Sequence, residues 1–441
     1  MLQILANRTY RHLFLAQVIA LVGTGLCTVA LGLLAFDLAG ADAGVVLGTA
    51  LAIKMVAYVG VAPVAAAIAE RVPRRAMLVS LDLVRAGVAV FLPFVTSIGQ
   101  IYLLIFVLQA ASAAFTPTFQ ATIPDVLPEE EQYTQALSLS RLAYDLESLV
   151  SPMLAAALLT VIGFHDLFAG TVIGFLVSAA LVVSVTLPVA AGSVRGSFYE
   201  RTTRGLRIYL ATPRLRGLLA VHFVVAAAGA MVIVNTVVLV QGQLGMSERS
   251  TALALGAFGA GSMVAAVGLP KLLNRLADRS VMLGGSILLA AGLFAGLTAG
   301  GFTSLLLLWV LLGAGYSLAQ TPSGRLLRRS TQPQDRPAVF AAQFALSHAA
   351  WLLAYPLAGL VGAKAGLPAA FVVLGFIAVT ACIVAFTLWP RSDPVEIEHV
   401  HTTLDASHPH LSGAGVADSG KLRHSHAYVI DQYHPEWPTS G

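Results

Sequence analysis

The residues best suited to chemistry fall into two groups, a set of histidines near the C-terminus and a few charged side chains inside long apolar stretches. Seven of the eleven histidines stand within the last 51 residues, and six of these form three His-x-His pairs. They are His399, His401, His408, His410, His424, His426 and His434. Neutral imidazole is a good ligand for Ni²⁺, Co²⁺, Zn²⁺ or Cu²⁺. The tail contains no Cys and no Met, which argues against Cu⁺. The pattern predicts a metal-binding tail; the alternative is a solvated tail whose histidines are incidental.

The second group lies in the segment SRLAYDLESLVSP, which also belongs to an apolar stretch. Arg141 and Asp145 are four residues apart and can pair on one helical face. Glu147 shares another face with Tyr144 and Ser151 and has no such neighbour. Desolvation then favours its protonated form, and a carboxyl group that gains and loses a proton is what proton coupling requires. The alternative is that both carboxylates bond to a neighbouring helix and stabilise the fold.

Further polar residues occur singly within apolar stretches. Lys54 and His348 each lie near the middle of such a stretch, and Asn235 and Gln320 are uncharged candidates. Ionisable groups at membrane depth are costly, so each is a candidate for the path of a transported solute. The alternative for all four is a structural role, above all hydrogen bonding between helices. We therefore predict a path containing Lys54, His348, Tyr144, Gln320 and Asn235, with Asp145, Glu147 and Arg141 in proton coupling.

The elements that position these residues follow from composition. The chain is 57% hydrophobic and only 11% charged, with a mean hydropathy of +0.81, whereas soluble domains carry about 25% charged residues. The apolar residues form runs of about 20, long enough to cross a hydrocarbon core of about 30 Å. The predicted fold is an all-α membrane protein with twelve transmembrane helices, at about 13–36, 45–69, 77–96, 101–123, 138–162, 167–187, 217–241, 250–272, 281–300, 303–322, 339–362 and 367–389.

Basic residues between these spans alternate strongly. One set of loops holds 18 Lys and Arg, and the opposite set holds only Arg249 and Lys364. By the positive-inside rule both termini are predicted in the cytoplasm of a bacterial cell, with the spans in its inner membrane. The predicted units are a six-helix half at 1–188, a central loop at 189–216, a second six-helix half at 217–390 and a His-rich tail at 391–441. The apolar tail segment 427–438 is predicted to dock on the cytoplasmic face.

A charged turn follows the second span in each half, and the two matching turns indicate an internal repeat. The first reads AAIAERVPRRAML (66–78) and the second LLNRLADRSVML (272–283). The first resembles the G-x-L-A-D-R-x-G-R-R loop of the major facilitator superfamily, with alanine and proline in place of two glycines. Ser151-Pro152 is similar to the Gly-Pro of antiporter members. The resemblance covers 1–390, and it implies a gating role for Glu70, Arg71, Arg74, Arg75, Asp82, Arg85, Asp278 and Arg279, although Asp82 and Arg85 also fit a structural ion pair.

The resemblance also implies that spans 2, 5, 8 and 11 line the seam between the halves, where the midplane charges would converge. With its tail, the chain is similar to the nickel-resistance branch of superfamily exporters, and its first half is similar to siderophore exporters. A proton-coupled exporter of nickel or cobalt is therefore expected. The alternatives are efflux of an amphipathic organic compound and a metal-sensing receptor without transport. No nucleotide-binding motif, catalytic triad or cofactor motif occurs, and the basic residues lie at membrane boundaries. Lipid, protons and the solute are thus the expected partners, without nucleic acid or enzymatic activity.

Overall fold

The computed structural model describes residues 2–39, 43–69, 72–188, 198–393, 396–401, 415–416, 422–431, 433–434 and 436–438. Fourteen α-helices and three strands lie within these ranges. The helices are α1 (Arg8–Ala39), α2 (Ala43–Ala69), α3 (Arg74–Phe91), α4 (Ile98–Val126), α5 (Glu130–Leu158), α6 (Leu167–Val183), α7 (Phe198–Ala211), α8 (Pro213–Val237), α9 (Glu248–Leu273), α10 (Asp278–Ala295), α11 (Phe302–Gln320), α12 (Ser323–Arg329), α13 (Arg336–Ala365) and α14 (Leu367–Leu388), and the strands are β1 (Glu396–His401), β2 (Gly415–Val416) and β3 (Leu422–Ala427).

Twelve of these helices are the predicted membrane spans. Ten described helices are both long and apolar enough to cross a bilayer. The other two are α2, whose described apolar stretch is Ala52–Ile68, and α5, in which charged residues interrupt 29 residues of helix. The predicted all-α membrane architecture is therefore confirmed. The shorter helices α7 and α12 are not among the twelve spans and connect successive spans.

The two halves repeat one packing pattern. In the first half α1 packs on α5 and α6, α2 on α4, and α3 on α4 and α6. In the second half α8 packs on α13 and α14, α9 on α11, and α10 on α11 and α14. Each contact of the first list has its counterpart in the second when α1–α6 are matched in order with α8, α9, α10, α11, α13 and α14. The six-helix pseudo-repeat follows from this correspondence.

Local sequence fixes several helix positions. Ser97 precedes α4, and the Gln100 side chain accepts hydrogen bonds from the Thr96 and Ser97 amides at 2.8 and 3.2 Å, which fixes the start of the helix. Between α9 and α11, a Cβ on Gly261 or Gly313 would stand 1.9 Å from the carbonyl oxygen of the facing helix. Only glycine allows these backbones so close, which is the small-residue packing expected of membrane helices.

The halves meet along a seam formed by α2 against α13 and α5 against α9. These are spans 2, 11, 5 and 8, so the seam expected from the resemblance is present. One end of the bundle carries α7, α12 and the connections between α2 and α3, α4 and α5, and α9 and α10. We call it the basic end, because the loops rich in Lys and Arg lie there.

The tail adds structure that helix patterns do not predict. Strands β1, β3 and β2 form an antiparallel sheet in that order. Beyond it, Tyr428 and Ile430 are buried in the hydrophobic core of the second half, and Ile397 and Trp437 pack against that core. The tail segment is therefore docked on the bundle, as its apolar composition predicted.

Candidate functional site

The charged segment of α5 reaches across the seam. Arg141 forms the predicted ion pair with Asp145, whose side chain is almost completely buried. The Arg141 Nε also donates to the Ser262 hydroxyl of α9 at 3.1 Å. Its guanidinium carbon lies 4.8 Å from the centre of the Tyr316 ring on α11. Arg141 thus joins its own half to two helices of the other half, so relative motion of the halves must change its contacts.

Glu147 occupies a different environment, two residues further along α5. It faces α1, where a Cβ on Gly25 would stand 3.0 Å from its Oε1 and 2.2 Å from the Cβ of Ser151. The predicted shared face of Glu147 and Ser151 is therefore packed on α1. Within the part of the chain that the structure describes, Glu147 has no hydrogen bond or ion pair, and Lys54 is the cation that acts on it at longer range.

Lys54 and His348 meet across the seam through aromatic rings. The Lys54 Nζ lies 5.5 Å from the centre of the Tyr58 ring, one turn along α2. That ring contacts His348 of α13 edge-on, with centroids 4.7 Å apart, and Phe344 at 4.9 Å. The His348 Nδ1 is 2.7 Å from the Phe344 carbonyl oxygen, so this nitrogen donates and Nε2 is left as the acceptor or ligand atom.

The remaining predicted path residues separate into different settings. Asn235 is buried and its amide donates to the Ala358 carbonyl of α13 at 3.3 Å, which is the interhelical bonding expected as the alternative. Tyr144 lies within electrostatic range of Tyr58 and Glu147. The Gln320 side-chain oxygen is buried and, among the described residues, accepts no hydrogen bond. Gln320 therefore keeps a polar atom for a solute, whereas the Tyr144 hydroxyl is hydrogen-bonded to Gln17 of α1 and Asn235 is engaged in packing.

Asp82 and Arg85 form a buried structural node in the first half. They pair with each other, and Ser178 of α6 donates to Asp82 at 2.8 Å. The Arg85 guanidinium lies between the rings of Phe115 and Phe175, at 4.1 and 4.5 Å. These contacts tie α3, α4 and α6 together, as the structural interpretation of this pair expects.

At the basic end, a first ion triad joins the halves. Asp125 at the end of α4 pairs with Arg74 of α3 in its own half. The other oxygen of the same carboxylate pairs with Arg336 at the start of α13. Both arginine side chains are mostly buried, so a central anion holds two cations across the seam.

A second ion triad has the inverse charges at the related position. Arg325 of α12 pairs with Asp278 at the start of α10, with Nε and Oδ1 2.9 Å apart. It also pairs with Glu130 at the start of α5, in the first half. Here a central cation holds two anions. In the repeat, α3 corresponds to α10 and α13 to α5, and α12 directly follows α11, the counterpart of α4. The two triads therefore have related positions and opposite signs.

The two other charged turn residues cap helices. The Arg75 guanidinium donates to the carbonyl oxygen of Val183, the last residue of α6. At the equivalent place, Arg279 donates to the carbonyl oxygens of Trp389 and Phe386 at 3.1 and 3.3 Å, at the end of α14. Cations here satisfy orphan carbonyl groups and the helix dipole. Glu70 and Arg71 lie outside the described residues.

The histidine tail is described only in part. Residues 402–414 lie outside the described residues, His408 and His410 among them, and of the seven predicted ligands only His426 and His434 have described side chains. Their rings are 5.0 Å apart. Among the described side chains, no group of three or more His, Cys, Asp and Glu is placed to hold a metal ion. The backbone register makes His399 and His424 direct partners on β1 and β3.

A compact turn follows β3. The His434 Nδ1 lies 2.8 Å from Asp431 Oδ1, and the His434 and Tyr433 amides donate to the same oxygen. Burial acts to raise the pKa of Asp431, but these hydrogen bonds outweigh it and hold the pKa below its usual value. Burial also raises the pKa of the Tyr428 hydroxyl to about 12. The Asp431 carboxylate therefore stays charged, and the Tyr428 hydroxyl stays neutral, across the neutral range.

Comparison with known proteins decides the family. The sequence profile of the Major Facilitator Superfamily matches residues 13–276 and 218–411. The chain belongs to the major facilitator superfamily. Its family and fold indicate a membrane transporter of small solutes rather than an enzyme.

Individual relatives are distant from this transporter. It is 24% identical over 207 residues to an uncharacterized MFS-type transporter, YkuC, of Bacillus subtilis (strain 168), a match over 46% of this chain and 47% of the relative, so it spans about half the relative's length. Its fold is similar to the human organic anion transporter MFSD10 (TM-score 0.75, 13% identity, 86% of this chain and 99% of the other). It is also similar to a bacterial homologue of the iron transporter ferroportin in an outward-facing state (0.72, 15%, 86% and 99%). At this identity the likeness shows the fold alone.

Sequence reasoning missed two residues of this candidate site. Ser262 binds Arg141 but lies in a small-residue stretch that gives no chemical signal. Tyr58 stands four residues after Lys54, on the same helical face, and that spacing could have found it. Tyr316 is a polar residue within a span, but the sequence alone does not indicate its contact with Arg141.

Proposed function

We propose that this superfamily member exports its substrate from the cytoplasm in exchange for protons, by alternating access across a bacterial inner membrane. The observation that carries the proposal is the pair of carboxylates on α5. Asp145 is paired with Arg141 and linked through it to the other half. Glu147 is packed on α1 without an ion pair among the described residues. A buried carboxyl group without a close counter-charge is neutralised readily, which suits it to carry a proton.

Alternating access requires that the seam opens at one end while it closes at the other. In this conformer both ion triads connect the halves at the basic end. The bias of basic loops supports a cytoplasmic position for this end, and with it cytoplasmic termini. Release of the triads and of the Arg141 contacts with Ser262 and Tyr316 would then accompany opening toward the cytoplasm.

The proposed substrate is a divalent transition metal, nickel or cobalt first. The three His-x-His pairs of the tail and His348 in the seam support this choice, because imidazole is a preferred ligand of these ions. Moving each positive charge outward costs about 2.3 kcal/mol per 100 mV of membrane potential. Exchange of two protons for one divalent ion cancels that electrical term, and Asp145 and Glu147 supply two carboxylates for it.

A second candidate is efflux of an amphipathic organic compound. A row of aromatic rings on α13 favours it, with Phe344 against Tyr58, and Trp351 against Tyr355 at 4.9 Å. Lys54 in the same region suits a compound that carries a negative charge. In this case the tail is separate from transport. A receptor that binds metal without moving it is the third possibility.

Flux through proteoliposomes tests these proposals together. Purified protein is reconstituted with an internal pH dye and supplied with Ni²⁺, Co²⁺, Zn²⁺ or an organic amphiphile under an imposed pH gradient. We expect metal movement that depends on the gradient and moves protons the opposite way. Proton movement with the organic compound alone favours the second candidate. Metal binding without flux of any solute supports the receptor and contradicts transport.

A further inference from the structure

A long apolar groove runs along the outside of the second half, remote from the seam. It has a volume of about 590 Å³ and lies between α8 and α14, with α7 at one end. Leu219, Phe223, Phe376 and Leu388 are among the apolar side chains of its wall. None of the proposed transport or tail residues lines it, so it needs a separate explanation.

The groove has the depth of one membrane leaflet. Leu388 is the last residue of α14 at the basic end, and Phe376 lies twelve residues earlier, or about 18 Å along the helix. Half of a typical hydrocarbon core is about 15 Å thick. A single acyl chain therefore matches the groove from the interface to the bilayer centre.

One cation lies at the end of the groove that belongs to the basic end of the bundle. Arg216 lies in the first turn of α8, where it lines the groove and is exposed. Within the described part of the chain its side chain has no hydrogen bond and no acidic partner. Arg214, two residues earlier, is instead buried and paired with Asp393. The uncompensated charge at interfacial depth gives the groove one polar, positive end and one apolar end.

We propose that this groove binds an anionic phospholipid, with one acyl chain between α8 and α14 and the phosphate on Arg216. The charge complementarity selects the headgroup and the groove length selects the chain. Neither depends on the identity of the transported substrate. A basic side chain near the surface contributes about 1 kcal/mol toward anionic lipid, so the preference over a zwitterionic lipid is about fivefold.

Native mass spectrometry of the full-length protein in detergent tests the proposal, with phosphatidylglycerol and phosphatidylcholine added in equal amounts. Wild type should retain phosphatidylglycerol about fivefold better, and Arg216→Gln should bring the two lipids to parity. Arg275→Gln is the matched control, because Arg275 is also exposed near the same end and lies outside the groove. It should keep the preference. An unchanged preference in Arg216→Gln, or an equal loss in Arg275→Gln, overturns the site.

A second variant tests the apolar part of the groove. Thr380 lines it and is exposed, so Thr380→Phe fills space without disturbing the core. We expect it to reduce retention of both lipids, whereas Val264→Phe, at a 74% exposed position on α9, should not. Unchanged retention in Thr380→Phe contradicts the proposal. The proposal is also contradicted if the wild-type protein retains no lipid, or if the groove is the interface of a dimer.

Discussion

Two carboxylates only two residues apart on α5 differ in every contact that matters for their charge. Asp145 lies beside Arg141, whose guanidinium also binds across the seam. Glu147 packs against α1 at Gly25, where there is no side chain. A carboxylate in a close ion pair stays charged until that pair separates, whereas a buried carboxyl group without one can change its protonation at modest cost. The two positions therefore suit different steps of one cycle.

Glu147→Gln is expected to abolish proton-driven transport while the protein still folds, because glutamine keeps the shape and cannot release a proton. The measurement is solute flux in proteoliposomes with and without a pH gradient. Glu131→Gln is the control, since Glu131 lies on the same helix at its exposed start. If Glu147→Gln keeps the full dependence on the gradient, Glu147 is not the coupling group.

His348→Ala is expected to weaken apparent metal affinity by at least about 10-fold, because loss of a ligand costs no less than loss of a group that orients one, and to spare organic solutes. The control is His12→Ala. His12 makes the same contact as His348, with Nδ1 2.7 Å from the carbonyl oxygen four residues earlier, but it lies near the start of α1. Wild-type metal flux in His348→Ala would return this residue to a packing role against Tyr58.

At the scale of elements, the two ion triads occupy related positions in the two halves with opposite charges. The repeat thus preserves the positions of the contacts and not the residue types. Loss of one partner from a buried pair, such as Asp125 with Arg336, costs about 3–5 kcal/mol, chiefly because the other charge stays buried. The contact of Arg325 with the exposed Glu130 contributes less, about 0–1 kcal/mol. The triads therefore stabilise the conformer in which the basic end is closed.

Arg325→Gln is expected to shift the protein toward a conformer that is open at the basic end, because Asp278 is left buried without its cation. Pulsed EPR between spin labels at Glu131 and Gln334 measures the separation of the halves there. The double variant Arg325→Gln with Asp278→Asn should recover part of the short distance. A distance distribution identical to that of the parent protein in the single variant would show that the second triad does not hold the seam.

The sequence predicts the spans, the halves and the Arg141–Asp145 pair, because each depends on apolar runs or on spacing within one helix. It does not predict the triads, since Asp125 meets Arg336 only when α4 and α13 pack together. The bond from Arg141 to Ser262 is of the same kind. The strands of the tail were missed because helix periodicity and composition dominate the chain, and the tail's register depends on its docked surroundings.

At the scale of the whole molecule, the tail is part of the folded protein as well as a source of histidines. Asp393 pairs with both Arg214 and Arg329, and it accepts a hydrogen bond from the Trp389 indole at 3.2 Å. Arg329 belongs to α12, the helix that also carries Arg325. Removal of the tail thus disturbs α12, the helix that carries the central cation of the second triad.

Replacement of the six paired histidines by alanine is expected to reduce metal export mainly at low metal concentration and to leave the maximal rate. A tethered binder raises local concentration most when free metal is scarce.

Removal of residues 392–441 should additionally lower the melting temperature, because Asp393 and the docked aromatic residues are lost. Asp393→Asn alone isolates this structural share. An alanine variant that matches wild type at every metal concentration, with no heat of metal binding to the tail, would leave organic efflux as the leading function.

Arg214 contacts the tail at two distant places. Its guanidinium pairs with Asp393 at 3.0 Å, donates to the Tyr428 carbonyl oxygen at 3.2 Å and lies 4.9 Å from the Trp437 ring centre. The segment between Asp393 and Tyr428 thus begins and ends at one side chain and has the topology of a closed loop. Since the entropy of loop closure grows only by about 0.6 kcal/mol per doubling of length, a change in the length of that segment should cost little while its two ends stay fixed.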